Sequence, residues 1–189
     1  MASLPIVLKY LIVFFVSMVP IVELRGAIPI AESLGLTIFL YYPIAILGNM
    51  LPVPIIYWFA RKVLEWGKDK KFIGKFFTWC LTKGEKGGEK LKASAGNRGI
   101  FWALLLFVGI PLPGTGAWTG TLAASFLNLD FKTSIVAVSL GVILAGIIMS
   151  LGSKIVSAFG WSGVIAIIVV LLLIILASIF IKKKKTAKK

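Results

Sequence analysis

The sequence contains no histidine, a single cysteine and only seven acidic residues among 189. With one thiol, Cys80, an intrachain disulfide is impossible, and the Cys/His clusters of structural metal sites are absent. Because imidazole is missing, a proton relay has to use carboxylates. The sequence also lacks a nucleotide-binding glycine loop with lysine and a nucleophile–base pair. We therefore expect that the protein is not an enzyme and binds no metal or cofactor.

Hydrophobic residues are abundant instead and make up 59% of the chain. Soluble domains contain about 45–50% apolar residues, and a domain of this length cannot bury so large an excess. The composition predicts an all-α integral membrane protein with a single membrane domain, residues 1–189. The net charge of +14 comes from basic blocks between apolar segments, which indicates membrane topology rather than nucleic acid binding.

Three segments have the length of about 20 apolar residues that a membrane-crossing helix requires. They cover residues 37–60, 133–156 and 161–181. The first contains Pro43 and Pro52, so we expect a kinked helix. The apolar N-terminal segment is not followed by a small-residue cleavage site, so we expect that it is retained.

Two further apolar segments, residues 4–36 and 99–129, are interrupted by proline and glycine. The interruptions contain Gly26 and Pro29 in the first segment and Pro111, Pro113, Gly114 and Gly116 in the second. Each arm has about 10–18 residues, which is short for a full crossing. This is typical of a re-entrant hairpin, whose broken backbone is buried in protein or lines a wet cavity. Two ordinary proline-kinked helices, each followed by a loop, are the alternative.

The distribution of positive charge predicts the orientation. The segment 61–98 carries 11 Lys/Arg against 4 Asp/Glu, and the tail 182–189 is also basic. The positive-inside rule places both in the cytoplasm. Two cytoplasmic ends require an even number of crossings between them, which holds if residues 99–129 enter and leave on the same side. We expect a multi-pass protein of a prokaryotic plasma (inner) membrane, with a last transmembrane helix at residues 158–181.

This topology predicts an inverted repeat of two halves, residues 1–60 and 99–157. The first hairpin opens outward and is followed by a span that enters the cell, and the second half has the opposite sense. Short sequence similarities agree: Arg25-Gly26-Ala27 with Thr115-Gly116-Ala117, and Leu47-Gly48 with Leu140-Gly141. Transporters are often built from inverted repeats whose broken helices meet near the middle of the membrane.

The basic segment contains one amphipathic pattern, at residues 70–81. Its apolar face consists of Phe72, Ile73, Phe76, Phe77 and Cys80. The pattern predicts an interfacial helix on an anionic leaflet. Residues 83–98 are rich in glycine and charge, and we expect a flexible link there.

Glu23 and Arg25 are the most informative polar residues. A charge near the centre of the bilayer costs about 2.5–3.5 kcal/mol on insertion scales. The pair is therefore expected to be used for substrate or ion binding, or else to form a mutual ion pair that only stabilises the hairpin. Placement near the membrane surface is a further alternative.

Four other polar residues are candidates for binding substrate or ions. Thr115 lies in the second interruption and Thr119 shortly after it, where amides at a helix N-terminus could bind an anion or the small residues could simply pack. Arg98 could attract an anionic head group or act as a plain cytoplasmic anchor. Asn49 could satisfy a hairpin tip or cap a broken helix.

Two motifs resemble those of the small multidrug export protein family. They are Glu23-Leu24-Arg25-Gly26-Ala27-Ile28-Pro29 and Ile110-Pro111-Leu112-Pro113-Gly114-Thr115-Gly116-Ala117-Trp118-Thr119-Gly120. The arrangement also resembles the DedA superfamily, which is implicated in moving phospholipids or a carrier lipid phosphate. That resemblance implies that Glu23 is the acidic residue that titrates. The superfamily has arginines in the second hairpin, where this chain has threonines, and Arg25 could replace them.

Three functions follow from these observations. The first is an ion-coupled transporter or lipid translocase, using protons or sodium, for an anionic amphipathic substrate such as a lipid phosphate. The second is an exporter of amphipathic or cationic small molecules, in which Glu23 lies unpaired near Trp118. The third is a membrane scaffold or assembly factor, in which Glu23 and Arg25 pair only with each other. Membrane lipids are expected partners, nucleic acid is not, and the chain could form a homo-oligomer.

Overall fold

The computed structural model describes residues 4–70, 74–112 and 114–186, with side chains up to residue 156 and at 158 and 160. The described backbone is helical and contains no strand. Its helices are α1 (Ile6–Met18), α2 (Glu23–Ser33), α3 (Ile38–Met50), α4 (Pro52–Lys68), α5 (Gly74–Gly109), α6 (Ala117–Phe126) and α7 (Phe131–Thr186). The predicted all-α class is confirmed.

Two of the three predicted spans are helices long and apolar enough to cross a membrane. They are Ile38–Lys68, formed by α3 and α4, and Phe131–Val156, the first part of α7. For the third predicted span, residues 161–181, the backbone continues as α7 after a kink at Gly160, where φ is 67°. The side chains of that span, and those of the basic tail 182–189, lie outside the described residues.

The first interruption lies earlier than predicted. Gly26 and Pro29 are both inside α2, and the chain reverses instead at residues 19–22, the first break. Ile21 has φ of 72° and Glu23 has φ of 49°. These left-handed conformations are uncommon for residues other than glycine. The turn therefore lies at residues whose types do not indicate it, and the prediction of a break at Gly26 and Pro29 is wrong.

The second interruption lies where the sequence predicts it. Between Gly109, the last residue of α5, and Ala117, the first of α6, the described chain is non-helical, and we call residues 110–116 the second break. Gly114 adopts a left-handed φ of 83° there. Pro111 and Gly116 lie in this break, whereas Pro113 is outside the described residues.

The expectation of a flexible link at residues 83–98 is wrong, because that segment belongs to α5. The helix is interrupted only at Gly96, where φ is 61° and ψ is 178°. A side chain at Gly84 or Gly88 would overlap the carbonyl oxygens of Phe126 and Leu127. The glycines thus allow α5 to pack directly against the end of α6, and this contact orders the segment.

The predicted amphipathic face is divided in the structure. Cys80 is buried, whereas Phe76 and Trp79 are 62% and 56% exposed and stack on each other. Phe72 and Ile73 lie outside the described residues. The helix therefore presents one small-residue face to the protein and a separate aromatic face outward.

The ends of α2 and α6 have the same backbone structure. In α2 the amide of Leu36 donates to the carbonyl of Ala31, and in α6 the amide of Leu129 donates to that of Ala124, at 3.1 and 3.0 Å. Each end contains one left-handed residue, Gly35 and Asn128 respectively. These are helix C-terminal motifs of the Schellman type, and corresponding residues are 93 positions apart. The match of Leu47-Gly48 with Leu140-Gly141 has this spacing, whereas the match of Arg25-Gly26-Ala27 with Thr115-Gly116-Ala117 is 90 positions apart and is therefore out of register.

The same correspondence continues into the spans. Gly48 in α3 lies against the carbonyl of Phe14 in α1, and Gly141 in α7 lies against the carbonyl of Leu105 in α5. Each glycine lets its span approach the backbone of the helix two elements earlier in the chain, α1 for α3 and α5 for α7. Helices α1 to α3 and the segment from the end of α5 into α7 therefore repeat one another in local structure.

Candidate functional site

The carboxylate of Glu23 binds the N-terminus of α6. Its two oxygens accept hydrogen bonds from the amides of Ala117 and Trp118, at 3.2 and 3.0 Å. Only 4% of Glu23 is exposed. A helix N-terminus has free amides and a partial positive charge, so a carboxylate there is stabilised without a cationic partner.

Glycine at position 116 makes this contact possible. A Cβ added at Gly116 would overlap the carboxyl group of Glu23. Glu23 itself, at the start of α2, has a left-handed backbone conformation, which determines the direction in which its side chain leaves the helix. The contact thus joins the first residue of one helix to the first turn of another across the interior of the fold.

Arg25 binds the carbonyl groups of the second break. Its guanidinium donates to the carbonyls of Val108 and Ile110 at 3.4 and 3.3 Å, and to those of Leu112 and Thr115. It also donates to the hydroxyl of Thr115 at 3.0 Å. The C-terminal end of α5 has unpaired carbonyls and a partial negative charge, which favours a cation.

Glu23 and Arg25 do not form a salt bridge with each other. Within the described part of the chain, the salt bridges are those of Arg61 with Glu65 and with Glu85. Both charges are instead satisfied by backbone groups of the second break and its flanking helices. A purely mutual Glu23–Arg25 pair, as the scaffold hypothesis requires, is therefore not what the structure contains.

A cavity of about 180 Å³ adjoins both charges. It is lined by Pro20 and Ile21 of the first break, by Glu23 and Arg25, and by Gly114, Gly116, Trp118, Thr119 and Leu122. Trp118, Thr119 and Leu122 also line an apolar groove of about 580 Å³ between α4 and α6. The apolar groove thus lies next to a cavity that is lined by a carboxylate and a guanidinium.

Asn49 lies on another side of Glu23. A small cavity of about 10 Å³ is lined by Glu23, Arg25 and Asn49, together with Leu24, Val108, Gly116, Ala117, Val142 and Ala145. Asn49 is 2% exposed, and its amide oxygen accepts no hydrogen bond from the described residues. Both roles predicted for Asn49, satisfying a hairpin tip or capping a broken helix, stay predictions.

The other predicted site residues divide into two groups. Thr115 contacts Arg25 directly, and Thr119 is exposed on the wall shared by the groove and the charged cavity. Arg98 is exposed on α5 and does not line the cavities around Glu23. Its two predicted roles, attracting an anionic head group or anchoring the segment in the cytoplasm, stay predictions.

Two features of the site were not predicted. The amides of Ala117 and Trp118 bind Glu23 rather than a free anion, and the indole of Trp118 donates to the carbonyl of Met18 at 3.2 Å. Sequence alone signals such a helix N-terminus only through the glycines before it. Glu32 on α2 is half-buried and accepts a hydrogen bond from the buried Tyr41.

Residues 23–148 match the family described as "Putative small multi-drug export protein". The match begins at Glu23 and includes both motifs, which the structure brings into contact. The chain belongs to this family, whose description indicates a membrane exporter. Neither the curated proteins nor the solved structures contain a match to the chain.

Proposed function

We propose that this member of the family exports amphipathic cations in exchange for protons, without enzymatic activity. The observation that carries the proposal is that the apolar groove and the cavity at Glu23 share three lining residues, Trp118, Thr119 and Leu122. The groove takes the apolar part of the substrate, and Phe59, Phe126 and Trp118 supply aromatic surface. The cavity takes the charged end, beside the carboxylate. Pockets for organic ligands commonly combine an apolar lining with a few convergent polar groups.

Competition for one carboxylate supplies the coupling. A proton and a cationic substrate cannot both occupy Glu23, so binding of one favours release of the other. An inward proton gradient then drives the substrate outward. When Glu23 is neither protonated nor bound to substrate, the amides of Ala117 and Trp118 stabilise its charge.

An inverted repeat supports alternating access. The end of α2 lies at the start of the first span, because Leu36 is two residues before Ile38, the first residue of α3. The end of α6 lies much farther along that span, because the Tyr57 hydroxyl donates to the carbonyl of Leu129. At 1.5 Å per helical residue, Tyr57 is about 28 Å from Ile38. The equivalent ends of α2 and α6 thus lie toward opposite ends of one span.

Helix length supports re-entrant hairpins in both halves. α1, α2 and α6 contain 13, 11 and 10 residues, whereas a crossing needs about 20. The end of α6 also contacts the basic segment, where the Lys92 ammonium donates to the carbonyl of Asn128 at 3.2 Å. If that basic segment lies on the cytoplasmic side of a prokaryotic inner membrane, the second hairpin opens toward the cytoplasm and the first opens toward the outside.

Translocation of a lipid phosphate is the second candidate. It is favoured by the convergence of Arg25, Thr115 and the α6 amides on one region. A phosphate group would have to replace existing hydrogen bonds at this region. The α6 amides already donate to Glu23, and Arg25 already donates to carbonyl groups. A lipid phosphate that binds together with a proton would be moved inward by the same gradient, opposite to export.

Reconstituted liposomes distinguish the two candidates. The purified protein is tested with a fluorescent lipophilic cation and with a fluorescent lipid phosphate, each with and without a proton gradient. We expect gradient-driven transport of the cation, and its loss in Glu23→Gln. Glu89→Gln is the matched control, because Glu89 is an exposed carboxylate on α5, and it should transport at the wild-type rate. Transport of only the lipid phosphate, or full activity of Glu23→Gln, would contradict the proposal.

A further inference from the structure

We infer that the small cavity beside Asn49 binds one water molecule, and that this water delivers the coupling proton to Glu23. The inference rests on the proposed proton exchange. It assigns the proton a route to Glu23 that is separate from the route of the substrate. Substrate reaches Glu23 through the groove and the 180 Å³ cavity. The proton reaches the same carboxyl group from the side of Asn49.

The first argument is the size and lining of the cavity. Its volume of about 10 Å³ is close to the space of a single water molecule. Glu23 and Arg25 are the charged residues that line it, and Asn49 contributes an amide. The guanidinium nearby and the small volume disfavour a sodium ion, which prefers several oxygen ligands.

The second argument is the unpaired amide oxygen of Asn49. A buried amide oxygen that accepts no hydrogen bond costs about 1–3 kcal/mol, and such groups in native proteins usually bind ordered water. A water in this cavity donates one hydrogen to Asn49 and the other to the Glu23 carboxylate. Two other buried oxygens without a described partner, in Ser134 and Ser150, do not line this cavity.

The third argument is the position of the cavity between the two halves. Three pairs of corresponding residues line it: Glu23 with Gly116, Leu24 with Ala117, and Asn49 with Val142. Each pair is 93 positions apart, like Gly35 and Asn128. Transporters with inverted repeats bind their coupling ions at such an interface. Only the first half places polar side chains there.

The proton transfer uses the water only as a carrier and consumes no other reactant. A proton that reaches the water passes to the carboxylate, which becomes a neutral carboxyl group, and the water is neutral again. A neutral carboxyl group binds the α6 amides less strongly than a carboxylate does. Protonation on this side thus loosens Glu23 from the N-terminus of α6, which faces the substrate cavity.

Transport assays in liposomes test the separate route. In Asn49→Leu we expect proton-driven transport of the lipophilic cation to fall about ten-fold, a modest effect for loss of a proton-transfer group. Substrate counterflow, in which one cation exchanges for another without a net proton, should stay near the wild-type rate. Asn49→Ser keeps a hydroxyl and room for water and should retain both activities. Ser134→Ala, which also removes a buried oxygen without a described partner, is the matched control and should change neither.

Infrared difference spectroscopy gives a second readout that does not depend on transport. An O–H band of buried water, identified by its shift in H₂¹⁸O, is expected in wild type and Asn49→Ser and should be lost in Asn49→Leu. An unchanged ratio of proton-driven transport to counterflow in Asn49→Leu, or an unchanged water band, would overturn the inference. Absence of transport by the wild type would instead refute the proposed function, and the water band would still be tested.

Discussion

The two halves of the molecule share a backbone design and differ in the chemistry at their breaks. Gly35 corresponds to Asn128 at the helix ends, and Gly48 corresponds to Gly141 in the spans. At the breaks, however, the first half has Glu23 where the second has Gly116. The first half carries the charges, and the second supplies the backbone groups that bind them. The site thus depends on the difference between the residues at the two breaks.

Loss of Arg25 should have the largest effect on stability. Arg25→Met removes the donors that bind carbonyl groups at both ends of the second break, from Val108 to Thr115. We expect a loss of about 3 kcal/mol, because several carbonyl groups, part of them partly buried, lose hydrogen bonds to a charged donor. Thermal unfolding in detergent measures the change. Arg98→Met, at an exposed arginine, should unfold at the wild-type temperature, and an equal loss in both variants would contradict the account.

A side chain at Gly116 should have the next largest effect. In Gly116→Ala the new methyl overlaps the Glu23 carboxyl group, so Glu23 has to leave the α6 amides. The expected cost is about 1–3 kcal/mol, the cost of leaving buried polar groups unsatisfied. Gly152→Ala is the matched control, since no described atom beyond the adjacent backbone of its own helix lies within 4 Å of a methyl there, and alanine should stabilise that helix by up to about 1 kcal/mol. Equal stability of the two variants would remove Gly116 from the site.

The paired glycines of the spans test the equivalence of the halves. Gly48→Ala and Gly141→Ala each place a methyl against a helix carbonyl, that of Phe14 and that of Leu105. We expect both to lose about 1–3 kcal/mol, as overpacked sites do, with the larger loss at Gly48, where the approach is closer. Thermal unfolding of both variants measures this. A large loss at one position and none at the other would mean that the two interfaces are not equivalent.

The stability contributed by the residues at the starts of the two spans should depend on pH to different, small extents. Asp130 precedes α7 and accepts hydrogen bonds from the amide and hydroxyl of Thr133, which lower the pKa of its carboxyl group below 3.8. A lowered pKa in the folded state gives stability that is present above the ordinary pKa and is lost as pH falls through the folded value. Thr37, at the corresponding position before α3, makes no such bond.

Unfolding temperatures measured from neutral pH to below pH 3.8 check this small effect. Asp130→Ala should lower the unfolding temperature at neutral pH and should lose part of the acid-induced decrease that the wild type shows. Thr37→Ala should follow the wild-type pH curve. An Asp130→Ala curve parallel to that of the wild type would show that the cap contributes nothing.

Much of this architecture can be predicted from the sequence, because it depends on composition and local pattern. Apolar length locates the spans that begin at Ile38 and Phe131, and Pro and Gly mark the second break. The first break is hidden, because Ile21 and Glu23 adopt left-handed conformations that their residue types rarely take. The partners of Glu23 are hidden as well, because the amides of Ala117 and Trp118 carry no side-chain signal and lie far along the chain.

The inverted orientation of the two halves is the central claim, and cysteine labelling tests it most directly. Thr37 and Asp130 are corresponding, exposed residues at the starts of the two spans. Each is replaced by cysteine in a Cys80→Ser background and treated with a membrane-impermeant maleimide from either side. We predict that Thr37→Cys is labelled only from outside and Asp130→Cys only from the cytoplasmic side. Labelling of both residues from the same side would contradict the inverted repeat.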